Sequence, residues 1–199
     1  MPSETDLLND ALCQIGASFI VAIDDGTINA IHCQTFYPKL RDDLLRSAHW
    51  RFAAAREELV QDVAKPLFEF AFQYSLPADF LKIREYNGAS LDTTNLALFE
   101  RATVRRFEIE GQKLVTNDGE VKIVFTKRIT DPNIFDSLFY QTLTTWLASK
   151  LANAITKDTE RSVNLLKKAI QVLLPMALNV DGQEGSVEPY VADELVRGR

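Results

Sequence analysis

YPKLRDDLLRSAHWRFAAAR, residues 37–56, packs apolar, charged and aromatic side chains more densely and more regularly than any other stretch of the chain. Leu40, Leu44, Leu45 and Ala48 recur at the three- and four-residue spacing of one apolar helix face, while Arg41, Asp42, Asp43 and Arg46 cover the other side. Pro38 lacks an N–H and crowds the preceding turn, so the helix either begins near it or carries a kink costing about 3 kcal/mol. Trp50 and Phe52 follow. Two large rings at a helix end, where the hydrophobic period changes, are expected to plug a helical layer against a sheet layer. Tyr37, at the other end of the stretch, is read with them as a structural residue.

Towards the amino terminus, Leu8, Ala11, Leu12 and Ile15 make a first helical stripe, with Ser3 or Thr5 as its cap and Gly16 as its stop. Phe19 to Ile23 reads as a short apolar connector. Asp24, Asp25 and Gly26 form a turn, and Thr27 caps a second helix running through Ile28, Ile31 and Cys33 into the central stretch.

Beyond Trp50, FAAAREELVQD (52–62) suits helix by composition, but its place before clear strands favours extended structure. Phe68, Phe70, Phe72 and Tyr74 alternate with other residues as a strand that turns at Leu76–Asp79, around Pro77. Phe80 to Tyr86 resumes, with Leu81, Ile83 and Glu85 on one face and Lys82, Arg84 and Tyr86 on the other. Phe107 to Val115 is a hairpin turning at Gly111, and Val121, Ile123 and Phe125 share one face of a further strand. Asp131-Pro132 opens a long helix burying Leu138, Leu143, Trp146, Leu147, Leu151, Ala154 and Ile155, broken at Thr156–Thr159. A last helix carries Val163, Leu166, Ile170 and Leu173 and stops at Pro175.

This order predicts one α+β domain without internal repeats. Its helical part comes from both chain ends (1–51 and 131–179), with an inserted antiparallel β-sheet (52–130) and a flexible tail (180–199). The 199 residues and 46% hydrophobic content suffice for a core. Before the fold is considered, no apolar run reads as long enough to cross a bilayer, and MPSETD lacks the basic start of a signal peptide. A cytosolic chain is therefore expected, with Cys13 and Cys33 as buried thiols. The net charge of -6 argues against nonspecific attachment to nucleic acid or anionic lipid as the main role.

Catalytic chemistry has few candidates. Glu120-x-Lys122 on a strand, with an upstream acid such as Asp79, is the pattern of a metal-dependent nuclease, but it equally describes a strand's solvated face. His32 beside Cys33 and His49 beside Trp50 suggest thiol–imidazole chemistry less than they suggest packing on helices. The sequence contains no GxxxxGK, GxSxG or HExxH, so neither a catalytic residue nor a cofactor is assigned. Arg101, Arg105 and Arg106, beside Phe107, form a basic cluster able to meet nucleic-acid phosphates, as a DNA-binding regulatory module would, or to guard a strand edge. Tyr190 and Leu195 offer apolar contacts in the tail.

LNDALCQIG, YPKLRDDLLRSAHWRFA, FQYSLPADFLKIREYN, FEIEGQKLVTN and TDPNIFDSLFYQTLTTWLASKLA occur in this order across nearly the whole chain. In motif order and spacing the chain resembles the bacteriophage tail tubular protein A family. It departs from that pattern at His49, where proline is frequent, and at Ala17-Ser18, where a Glu-Pro pair is frequent. The resemblance implies a gatekeeper-type head-to-tail adaptor of the virion, assembled in the host cytoplasm. Such an adaptor forms a ring, expected to be dodecameric, between the portal and the tail nozzle or tube. DNA passes through the ring, and no cofactor, membrane or catalytic role is implied.

Overall fold

The computed structural model describes residues 2–91 and 107–183. The chain is α+β. Helix α1 (Glu4–Ile15) starts at a capping box in which Ser3 Oγ accepts from the Asp6 N–H and Asp6 Oδ2 accepts from the Ser3 N–H, and it ends on Gly16 in the left-handed region at φ 71°. Helix α2 (Ile28–Ser47), capped by Thr27, begins ten residues before Pro38, so the proline lies inside the helix and does not start it. Packing of Ala30, Cys33, Tyr37, Leu40, Leu44 and Leu45, all buried, offsets the donor missing at Pro38.

A single 3-10 turn, Arg51–Ala53, leads into β1 (Ala54–Leu59), which resolves the ambiguous stretch as strand. Strands β2 (Phe72–Ser75), β3 (Phe80–Tyr86), β4 (Ala89–Ser90), β5 (Phe107–Glu110), β6 (Lys113–Thr116) and β7 (Val121–Lys127) follow. They form two antiparallel sheets where one was expected. One has the order β1-β7-β3-β4 and the other β2-β6-β5. Between them lies a core of Leu59, Tyr74, Leu76, Tyr86, Leu114, Val121, Ile123 and Phe125.

Two strand expectations need correction. Phe68 and Phe70 are not in a strand: Glu69 between them has a left-handed φ of 70°, so only Phe72 and Tyr74 of the expected run join the ladder. In β3 the register against β7 shifts between Phe80 and Lys82 and again between Ile83 and Glu85, so Leu81, Arg84 and Tyr86 are buried and the strict alternation is lost.

The helical half returns after β7. Asp131-Pro132 opens only a 3-10 turn (Pro132–Ile134). Asp136 caps α3 (Ser137–Leu151), its Oδ1 accepting from the Leu138 and Phe139 N–H groups. Helix α3 is the element against which α1, α2, α4 (Thr159–Lys167) and α5 (Leu174–Gln183) all pack. The expected break is present, as a π-turn (Ala152–Thr156), left-handed Lys157 and the cap Asp158.

The expected stop at Pro175 is absent. A π-turn (Lys168–Leu173) joins α4 to α5, and the Leu174 N–H donates to the Ala169 carbonyl, five residues back. This wider spacing absorbs the clash and missing donor of Pro175. One helical rod therefore spans Thr159–Gln183 and continues into the first residues assigned to the tail. At 25 residues it is long and apolar enough by composition to cross a membrane, which corrects the reading that no run has that length.

Candidate assembly surfaces

Trp50 and Phe52 stand where the helical and β halves meet. Trp50 is fully buried, its Nε1 donates to the Leu44 carbonyl at 2.8 Å, and its ring meets Phe139 edge-on at 5.0 Å. Phe52, half-buried, packs edge-on against Phe139 and Phe135. From the sheet side, the buried Arg84 donates through Nη2 to the Trp50 carbonyl and through Nε to Thr126 Oγ1. Arg84 therefore ties strand β3 to both the junction and β7. Of the other structural residues, Tyr37 is fully buried with the Arg41 guanidinium 5.7 Å from its ring centre, whereas Pro77 and Trp146 are half-buried.

Beside this junction lies an open cleft of about 520 Å³, whose wall carries Arg51, Arg56 and Arg84 together with Glu85 and Asp181. Charges of both signs line it, and His49 and Ser90 lie on the same wall. Burial lowers the affinity of Arg84 for its proton, against the opposing influence of Asp181 and Glu85.

The nuclease residues do not come together. Lys127 pairs with Phe80 and its Nζ lies 3.2 Å from Asp79, whereas Glu120 precedes Val121 at the opposite end of the same seven-residue strand. That separation is roughly 20 Å at the rise of a strand. Lys122 faces Glu58 at 3.8 Å, both well exposed. Among the described residues, no group of three or more His, Cys, Asp and Glu side chains is placed to hold a metal ion. His32 is half-buried on α2, stacked on Phe36, while His49 lies beyond the helix end, which corrects its helical assignment. Cys33 is buried as expected, but Cys13 is exposed: it lies on α1 off the stripe of Leu8, Leu12 and Ile15. Arg101, Arg105, Arg106, Tyr190 and Leu195 lie outside the described residues.

The surfaces that sequence reasoning missed are apolar and ordered. The connector between α1 and α2 exposes Phe19 (64%) and Val21 (90%), and Ile28 and Ile31 continue the patch on the adjoining turn of α2. This connector is held by side chains from both helices. Asn9 bonds both the N–H and the carbonyl of Ile20, Asn29 bonds the Ser18 carbonyl, and Gln34 bonds the Ile23 carbonyl. Asp25 accepts from the Val21 N–H, the Thr27 N–H and the Thr27 hydroxyl. Those bonds hold the carboxyl of Asp25 below its ordinary range, the Thr27 hydroxyl contributing most. The backbone is fixed while its rings and methyl groups face outward.

A second surface follows the rod Thr159–Gln183, where Val163, Ile170, Val172 and Met176 are exposed and only Ala169, Leu173 and Ala177 are buried. A third is the loop between β1 and β2, with Val60, Val63, Leu67 and Phe68 exposed. Apolar residues read from sequence go to the core by default. The available signal was the density of Asn, Asp, Gln and Thr around Phe19 and Val21, which supplies the local hydrogen bonds of an ordered loop.

No family model matches the chain, and no curated protein matches it in sequence.

Proposed function

We propose that the chain is a head-to-tail adaptor of a tailed bacteriophage: a structural virion protein, assembled in the host cytoplasm, that forms a ring between portal and tail nozzle or tube. The observation that carries this reading is the rod Thr159–Gln183, which leaves Val163, Ile170, Val172 and Met176 exposed in the single chain. Apolar side chains exposed repeatedly along one helix suit a surface that another molecule covers. It joins the resemblance of the ordered sequence motifs to the tail tubular protein A family, which also suggests twelve copies.

The junction geometry suits such a role. Arg84, Trp50 and Phe52 couple the helical half to the β half, so that a load applied to one is passed to the other. A net charge of -6 suits a ring that does not hold DNA tightly as it passes. The metal-dependent nuclease reading has no geometric support, because Asp79 and Glu120 lie at opposite ends of β7. The regulatory reading depends on the Arg101–Arg106 cluster, outside the described residues.

Deleting the gene from the phage genome tests the proposal. DNA-filled heads without tails, restored to tailed particles by the chain supplied in trans, are the expected result. Tailed, infectious particles at normal yield without the chain would overturn it.

A further inference from the structure

Arg84 is a cation held largely out of water with neutral partners. It is 6% exposed, and its two hydrogen bonds go to the Trp50 carbonyl and the Thr126 hydroxyl. Its remaining nitrogen, Nη1, has no acceptor among the described residues and stays open to solvent. A desolvated charge is costly unless an opposite charge stands against it. Glu85 and Asp181 lie near enough to favour the charged form of Arg84, but among the described residues neither makes an ion pair with it. Asp181 is engaged elsewhere: its Oδ1 accepts from the Arg51 N–H at 2.9 Å, and its carbonyl accepts from Arg51 Nε at 2.8 Å. The two terminal nitrogens of Arg51 are left without a described acceptor, and so is the whole guanidinium of Arg56, exposed on β1. All three arginines stand on the wall of the cleft of about 520 Å³ beside the junction.

We infer that this cleft binds the phosphate group of a small ligand, whose anionic oxygens accept from Arg51, Arg56 and Arg84. The inference does not depend on the adaptor reading. A tetrahedral anion presents several acceptor oxygens at once, which suits donors arriving from three side chains, and guanidinium groups match phosphate in geometry. The anion supplies the counter-charge that Arg84 lacks, and beside a buried cation that attraction is screened less than on open surface. Val124, half-buried on the same wall, and Leu178, 40% exposed, offer apolar contact to the organic part of the ligand. The volume of the cleft falls within the range of small-molecule sites. Glu85 and Asp181 limit what fits, because they repel any further negative charge. Glu57 and Glu58 follow Arg56 along β1, so no basic stripe continues away from the cleft. A nucleic-acid strand needs such a stripe, and a single phosphate does not.

Calorimetric titration of the full-length chain with inorganic phosphate, against sodium chloride of equal ionic strength, tests this. One saturable site is expected. Arg56 has no internal partner to lose, so Arg56→Ala is expected to weaken binding about tenfold while the urea midpoint stays that of the parent. Arg56→Lys should recover part of the loss, because the charge returns without the planar fork. Glu85→Gln should instead tighten binding, since it removes a like charge from the wall. A nucleoside monophosphate is expected to bind more tightly than inorganic phosphate through Val124 and Leu178, and weaker binding would overturn the part given to those two residues. The inference falls if phosphate gives no saturable heat beyond that of chloride. It falls equally if Arg56→Ala and Glu85→Gln both leave the affinity unchanged, which would mark an adventitious ion only. A DNA duplex that binds more tightly than either probe and loses that affinity in Arg56→Ala would assign the cleft to nucleic acid and overturn the small ligand.

Discussion

Arg84 Nη2 lies 2.8 Å from the backbone carbonyl of Trp50, 34 residues earlier in the chain, and this bond joins the two halves of the molecule beside those of Arg46 to the Leu81 carbonyl and of Arg128 to Asp42. Arg84 is only 6% exposed, so Arg84→Met removes the donor of Thr126 Oγ1 and one of the two donors of the Trp50 carbonyl, which keeps the Ala53 N–H. The expected loss of stability is about 1 to 3 kcal/mol. Urea denaturation measures it as a fall in midpoint, and a change within about 0.5 kcal/mol of zero would show that the Arg84 bonds contribute nothing.

Trp50→Ala removes the ring that fills the space between Leu44, Phe52 and Phe139. A fully buried aromatic truncated to alanine costs about 3 to 5 kcal/mol, and the Nε1 bond to the Leu44 carbonyl is lost with it. Chemical denaturation should show a lower midpoint at unchanged slope. A variant as stable as the parent would contradict the role of Trp50 as the plug between the layers.

Much of the local structure is written in short signals. Ser3, Gly16, Thr27 and Gly111 each stop or start an element as their chemistry predicts, because caps and turns depend on a few neighbouring residues. The alternation of Val121, Ile123 and Phe125 is likewise intact in β7. What was not legible depends on distant partners. Pro175 reads as a stop only until the π-turn before it is seen, and the division of the strands into two sheets follows from which strands pair, such as β1 with β7 across 61 intervening residues from Leu59 to Val121. The outward direction of Phe19 and Val21 is set by Asn9 and Asn29 on the flanking helices, so no local pattern contains it.

Stability should depend on pH at both extremes. Asp6, Asp25 and Asp62 all have acidities strengthened in the folded chain, chiefly by hydrogen bonds from the Ser3 backbone, the Thr27 hydroxyl and Lys113, against an ordinary value of 3.8. A depressed folded value stabilises above the unfolded value and is lost as pH falls through the folded one, so the thermal midpoint should drop below about pH 4. At the other end burial raises Cys33 from 9.0 to about 11 and Tyr37 from 10.0 to about 12. The folded chain then keeps protons that the unfolded chain releases, and stability falls as pH rises above about 9. Calorimetric scans from acid to alkaline pH check both limbs, and a midpoint that rises below pH 4 or above pH 9 would contradict these assignments.

The two thiols should react differently. Cys13 is exposed on α1 while Cys33 is fully buried in α2, with burial holding it as the thiol. An aromatic disulfide reagent at neutral pH should label one thiol rapidly in the native chain and both after unfolding in guanidinium. Equal rates for both thiols in the native chain would place Cys33 at the surface, against this structure.

The central claim is that the chain makes a ring that continues the portal. Electron microscopy of purified portal rings of the parent phage, incubated with an excess of the full-length chain, tests it most directly. The account predicts a second, coaxial ring of this chain stacked on the portal, enclosing a continuous channel, with twelve copies in rotational averages. Portal rings that remain bare, with the chain dispersed as monomers around them, would contradict it.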